Sequence, residues 1–234
     1  MSYTFQFGVI AQYQNEILAG IWMTIKLSVA SIILGCAAGI VLASVRSMKP
    51  GIGRILVDAY VEIIRNTPFL VQLFIVYFGL PGMGFRVSAV TAALIGMTIN
   101  LAAYSTEIIR AGIESIHKSQ IEAGEALGFT KLQIYRHVII MPAIAKVYPA
   151  LCSQFVLMML ASSVCSAIST NELAASAAFI ESQSYRSFEI YIVVTLIYLA
   201  LALTLRGVLA LAGLWLFGRR VARRTATALP EVTA

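Results

Sequence analysis

The sequence predicts an all-α membrane protein with five transmembrane helices and one polar helix–turn–helix slung between the third and fourth spans. Three observations carry that prediction. Of 234 residues, 59% are hydrophobic and 12% charged, whereas about a quarter of a soluble domain is charged. Long charge-free windows recur along the chain, several of them long enough to cross about 30 Å of hydrocarbon at 1.5 Å per residue. Between two such windows, Ser119 to Pro142 is a polar island holding Glu122, Glu125, Lys131 and Arg136, with Lys118 beside it. Burying these charges at the bilayer centre would cost roughly 2.5–3.5 kcal/mol each.

Residues 1–16 carry only Glu16 as a charge and form an N-terminal segment at the outer interface. With no Lys or Arg there, a cleavable signal peptide is not expected. The membrane domain covers 17–218. Span one runs from Ile17 to Val45, with Lys26 near its outer end placed to snorkel. Gly35 and Gly39 make a G-x-x-x-G pair suited to a close helix contact. Arg46, Lys49, Pro50, Gly51 and Arg54 form a basic turn. A short interfacial helix then runs to Arg65. Thr67 before Pro68 fits the N-cap and first position of span two, which Pro81-Gly82 ends. The alternative is one long helix kinked at Pro68.

Span three is Val87 to Thr106, continuing to Arg110. Glu107 and Arg110 lie three apart and share a face, either as an interfacial ion pair or with Glu107 facing the conduction route. Span four is Val138 to Ile168, and span five is Ile190 to Phe217. Between them Glu172 to Glu189 is a polar loop with a re-entrant or interfacial turn at 174–180. The tail 219–234 holds Arg219, Arg220, Arg223 and Arg224. With alternating spans, the Lys and Arg residues gather on one side, which is therefore cytoplasmic. That places the amino terminus outside, and the tail and the polar island inside.

The island itself reads as helix, glycine turn, helix. Ser119 and Glu122 have the S-x-x-E spacing of a capping box, and Thr130 and Gln133 repeat it as T-x-x-Q. Gly128 sits between them, where a left-handed residue would end the first helix.

Other chemistries are excluded or weak. The net charge of +6 comes from basic residues at the ends of apolar segments and forms no aromatic-interleaved patch, so nucleic acid is not an expected partner, whereas membrane lipid is. Cys36, Cys152 and Cys165 form no C-x-x-C pair and read as small residues in helix interfaces. No phosphate-binding G-x-x-x-x-G-K-[ST] is present, and His117 and His137 are the two histidines, so no metal or cofactor site is expected. Uphill transport would draw its energy from another subunit or from an ion gradient. An ion-coupled secondary carrier is the competing class, but an inverted repeat does not divide five spans with one polar turn. A membrane enzyme would need clustered His, Asp or Glu at a membrane face.

Glu122-Ala123-Gly124, followed by Gly128 and Pro142, resembles the "EAA" loop of ABC-importer permeases. Ala103 to Arg110 and Ile64-Arg65-Asn66-Thr67-Pro68-Phe69-Leu70-Val71-Gln72 resemble the polar amino-acid branch of that family, as does Tyr77 to Pro81. The likeness spans about 17 to 220. It departs at Gly124, where an Ala is usual, at Met141 in place of Leu, and at Pro142, one position later than usual after Gly128. The extra residue implies that the second helix enters the membrane with a rotation or a local bulge.

The resemblance implies a type I ABC-importer permease whose coupling-helix loop, 113–142, docks on a cytoplasmic ATPase homodimer. ATP-Mg is bound by that partner and not by this chain, which is a transport subunit and not an enzyme. Glu122, Ala123, Gly124, Gly128, Phe129 and Thr130 would make the ATPase contact. It further implies a second permease subunit, a periplasmic or lipid-anchored amino-acid-binding protein, and the bacterial inner membrane. Polar groups within the spans that could meet a zwitterionic solute are Asn100, Tyr104, Glu107, Gln154, Ser162 and Ser163. Interhelical hydrogen bonding is the competing role for Gln154, Ser162 and Ser163. Many relatives carry Lys-Asp where this chain has Leu160 and Ala161, so the second permease is expected to be non-identical and to grip the solute.

Overall fold

The computed structural model describes residues 5–46 and 51–218. Lys49, Pro50 and the four tail arginines lie outside the described residues. In chain order the helices are α1 (Gly8–Gln12), α2 (Gln14–Arg46), α3 (Ile52–Arg65), α4 (Phe69–Gly82), α5 (Ala89–Glu114), α6 (Lys118–Ala126) and α7 (Lys131–Gln133). A π-helical segment (Ile134–Ile140) leads from α7 into α8 (Met141–Ala161), and a 3-10 segment (Ser162–Ile168) extends it. Then come α9 (Leu173–Ser184) and α10 (Ser187–Phe217).

Among the described residues, four continuous helical stretches are long and apolar enough to cross a membrane: Gln14–Arg46, Ala89–Glu114, Lys131–Ile168 and Ser187–Phe217. A fifth span is reached where the bent pair α3 and α4, turned by 109° at the break between them, is taken together. By itself α4 has 14 residues, a rise of about 21 Å, short of the ~30 Å of hydrocarbon.

The centre of the bundle is α5. Of its most apolar stretch 61% is buried, against 6% for α10, which forms the rim. α2 lies along α5 with Gly35 over Leu101 and Gly39 over Ser105. This register makes the two helices parallel, as spans one and three of an alternating topology must be. The G-x-x-x-G reading holds: a Cβ on Gly39 would sit 2.5 Å from Ser105 Cβ, so glycine is what lets the backbones close. One apolar core gathers Leu27, Leu73, Met97, Leu101 and Phe155 around α5. A second, at the opposite end of α2, gathers Ile17, Leu173, Ile180 and Ile190. Cys165 is buried and Cys36 and Cys152 are half-buried, all three free thiols within helices.

The elbow differs from expectation in one respect. Pro68, not Thr67, is the N-cap of α4, with extended backbone at φ −64°, ψ 134°. The Thr67 hydroxyl turns back and donates to Ile63 O at 2.8 Å. The carbonyls at the end of α3 have no helical partner, and Thr67 and Gln72 satisfy them. Gln72 Nε2 donates to Ile64 O at 2.7 Å and to Thr67 O at 3.0 Å. The acceptor side of the Thr67 hydroxyl takes Gln72 Nε2 at 2.9 Å, so the hydroxyl serves the elbow and not the first N–H groups of α4.

Candidate functional site

The polar island folds as two short helices around one glycine. His117 is the N-cap of α6, and its Nδ1 accepts from Ser119 N at 3.3 Å. The expected Ser119–Glu122 capping box is therefore absent. Because the helix begins at Lys118, Ser119 falls inside it, and its hydroxyl pairs with the His117 ring at 2.8 Å. Glu122, Ala123 and Glu125 are exposed.

The stop at Gly128 is as expected. Its φ is +75°, a left-handed conformation that costs a residue with a Cβ about 1–2 kcal/mol. Gly128 N–H donates to Glu125 O at 2.9 Å and Phe129 N–H to Gly124 O at 3.1 Å. This is the paired 5→2 and 6→1 pattern of a Schellman stop. The second capping box is complete. Thr130 N–H donates to Gln133 Oε1 at 2.8 Å, and Gln133 N–H reaches Thr130 Oγ1 at 3.4 Å. At the tip, Leu127 and Leu132 are 74% and 76% exposed, and Phe129 lies between them.

Beyond the turn the helix does not run evenly into the span. Over Ile134–Ile140 it widens to a π-helix, and Met141 N–H donates five residues back to Arg136 O. Pro142 follows directly, and its missing N–H favours such a break in the ladder. The helix thus enters the span through a local bulge just before Pro142.

The second polar group lies on α5. Asn100, Tyr104 and Glu107, spaced four and three apart, share one face. Each of them touches the elbow or its neighbours. Asn100 Nδ2 donates to Gln72 Oε1 at 2.9 Å. The Arg65 guanidinium lies 5.6 Å from the Tyr104 ring centre, a cation–π distance. Glu107 is bridged by Arg46 and Arg110, with Arg65 at 3.8 Å. Arg46 also bridges Asp58, and Tyr60 Oη donates to Ile99 O at 2.6 Å. The Glu107–Arg110 pair is present as expected, and Arg110 reaches Glu114 at 2.5 Å as well. This face of α5 thus binds α2, α3 and the elbow into one body.

The α8 residues behave differently. Ser162 is fully buried and donates to Met159 O at 2.6 Å, and Ser163 donates to Leu160 O at 2.8 Å. These bonds lie within their own helix and not between helices, because the tightening to 3-10 geometry brings the i−3 carbonyls within reach. Gln154 is half-buried, and its carboxamide makes no hydrogen bond among the described residues.

Sequence reasoning did not assign roles to Gln72, Arg46 or Glu172. Gln72 ends the quoted Ile64–Gln72 stretch, so its position was visible but its task was not. Glu172 is 0% exposed and is the N-cap of α9. Its carboxylate accepts from Ala174 N at 2.9 Å, Ala175 N at 2.8 Å and Tyr198 Oη at 2.6 Å.

Residues 31–216 match the family described as binding-protein-dependent transport system inner membrane component. The chain belongs to this family. The probable glutamine ABC transporter permease protein GlnM of Bacillus subtilis (strain 168) is 33% identical over 88% of this chain and 93% of its own length. The arginine transport system permease protein ArtQ of the same organism is 35% identical over 81% of this chain and 87% of its own. Among solved structures, a crystal structure of an amino acid ABC transporter with histidines superposes at a TM-score of 0.82 with 36% identity. It covers 93% of this chain and 100% of that one. The MetNI methionine ABC transporter, inward facing, shares the fold at a TM-score of 0.72 and 20% identity. The all-α membrane fold is thus that of a type I importer permease, and the chain is a multi-pass permease subunit of a binding-protein-dependent ABC importer.

Proposed function

We propose that this permease moves polar amino acids inward as one half of a two-permease pore driven by a separate ATPase dimer. The single observation that carries the coupling role is the rigid turn at Gly128. It is locked by backbone bonds on one side and a complete capping box on the other, with Leu127, Phe129 and Leu132 at its tip. Exposed apolar side chains on a rigid polar scaffold suit a protein groove better than solvent. The turn joins α5 on one side and α8 on the other, so a push on it reaches the bundle centre directly. A differential of about 5.5 kcal/mol between two packings would move the pore from 1:99 to 99:1.

The excess of Lys and Arg on the side of the turn supports an orientation with the amino terminus outside and the carboxyl terminus in the cytoplasm of the bacterial inner membrane. Amino acids as cargo are supported by the names of the similar permeases, which specify glutamine and arginine. A periplasmic or lipid-anchored binding protein would deliver the solute at the outer face. Of the six candidate residues, Gln154 has a carboxamide without a partner among the described residues, and with Ser162 and Ser163 it forms the candidate contact on α8 and the 3-10 segment that extends it. Asn100, Tyr104 and Glu107 are engaged with the elbow and would meet solute only after rearrangement. Leu160 and Ala161 leave that stretch without charge, which favours a non-identical second permease as the subunit with the stronger grip.

The test is co-purification of the chain with its soluble ATPase, comparing the natural protein with Gly128→Asp. The aspartate variant is expected to insert normally, and to lose ATP-driven uptake of L-glutamine and L-arginine. Normal uptake with normal ATPase recruitment would remove the turn from the coupling role. Labelling of introduced cysteines between 119 and 133 from the outer medium would overturn the orientation.

A further inference from the structure

Gly124 occupies a contact that the coupling turn does not by itself explain. It is the one buried residue of α6, and it rests on the π-helical segment. A Cβ at Gly124 would lie 3.3 Å from Ile134 Cγ1 and 3.5 Å from Val138 Cγ2. The first distance is tighter than most natural carbon contacts. Ile134 is 5% exposed, and both partners are β-branched and stiff at χ1, so neither gives way freely. The same residue supplies the carbonyl that accepts from Phe129 N–H at 3.1 Å. Gly124 therefore touches the wide helix through its Cα and holds the glycine turn through its carbonyl.

Ile134 and Val138, four apart on one face of the wide segment, both lie against α6. A π-helix carries one residue more than an α-helix through nearly the same sweep, which pushes its side chains outward on one face. Here the face carrying Ile134 and Val138 meets α6. Removing one residue between Ile134 and Ile140 would return the segment to α-helical winding, leave the flanking helices almost in phase, and relax the contact.

We propose that Gly124 and the π-helical segment Ile134–Ile140 form a fitted seat. The seat sets the angle at which the turn presents Leu127, Phe129 and Leu132, and Gly124 is a positioning residue for coupling. This inference rests on the coupling role proposed above. It predicts a reciprocal size relation: a methyl added at Gly124 is harmful, and harmless again once the wide helix is narrowed.

Two readouts test it. On the purified chain in detergent, amide hydrogen exchange across Lys118–Ala126 reports the seat, with exchange across α5 as the check on the fold. Gly124→Ala is expected to raise exchange in α6 about fivefold with α5 unchanged. Gly124→Ala combined with deletion of His137, or with Ile134→Ala, is expected to return it to about the natural rate. On the chain titrated with its ATPase, Gly124→Ala is expected to weaken docking about fivefold, with recovery in the same two combined variants. Unchanged exchange in Gly124→Ala overturns the seat, as does failure of both combined variants to restore it. Restored exchange without restored docking overturns the positioning role. If the natural chain docks no ATPase, the coupling reading falls with its positioning role, while the exchange data still decide the seat.

Discussion

At Thr130 and at Glu172 a helix begins, and in both places a side-chain oxygen takes up the first free N–H groups. The surroundings differ. Thr130 is exposed, and its box is closed by Gln133, three residues on. Glu172 is fully buried. Besides Ala174 and Ala175 it holds the Tyr198 hydroxyl from α10, while the neighbouring Leu173 N–H donates to Thr24 Oγ1 of α2 at 3.2 Å. The turn outside the bundle relies on near neighbours in the chain, whereas the helix packed against α2 and α10 relies on distant ones. The physical cause is water. An exposed cap competes with solvent and contributes modestly, whereas a buried carboxylate must satisfy every lone pair within reach. Hence the exposed turn can keep its shape independently of the bundle, and α9 can keep its place only while the bundle around it is intact.

The contrast can be broken most strongly at Glu172. Replacement by Ala leaves two N–H groups and one hydroxyl without an acceptor. It is expected to destabilise the protein by about 3 kcal/mol or more, read as a large drop in the detergent unfolding midpoint. Glu172→Gln keeps an acceptor and should fall well short of that. Next is Gly39→Leu, which forces α2 off Ser105 and should cost about 2 kcal/mol by overpacking, visible in the same melt. Smaller is Thr130→Ala, expected to cost about 1 kcal/mol in the turn. That loss should show as faster proteolysis between α6 and α8 with the global midpoint nearly unchanged. An equal effect on both would mean that the turn is not independent of the bundle.

The smallest effect concerns Glu181, near the end of α9. Ser187 Oγ and Tyr191 Oη donate to its carboxylate at 2.5 and 2.8 Å, and these bonds hold its pKa below the ordinary value of 4.5. A depressed carboxylate adds stability above its unfolded pKa and loses it as pH falls through the folded one. Glu181→Gln should therefore remove a slight acid-side decline in the unfolding midpoint below about pH 4.5 and leave the midpoint at neutral pH little changed. An acid-side profile identical to that of the natural protein would show that the two hydroxyl bonds carry no linkage.

The amino-acid order alone was enough for four long apolar spans, for Gly35 and Gly39 as a site of close helix contact, for the stop at Gly128 and for the Thr130–Gln133 box. All of these depend on local spacing, on hydropathy or on one backbone conformation that glycine accepts. It misassigned Ser119 and Thr67, because Ser119 falls one residue inside α6 and pairs with the His117 ring, while the Thr67 hydroxyl turns back to Ile63 O, and spacing distinguishes neither from a cap. It also left open what Asn100, Tyr104 and Glu107 touch. Their shared face follows from helical period, but the partners, Gln72, Arg65 and Arg46, arrive from other helices 28, 39 and 61 residues away. The 109° elbow belongs to the same class. Pro68 announces a break, yet the angle comes from Gln72 binding the end of α3 while Asn100 holds Gln72 against α5. Long-range contacts of this kind have no signature in spacing, since their geometry exists only once the helices have packed.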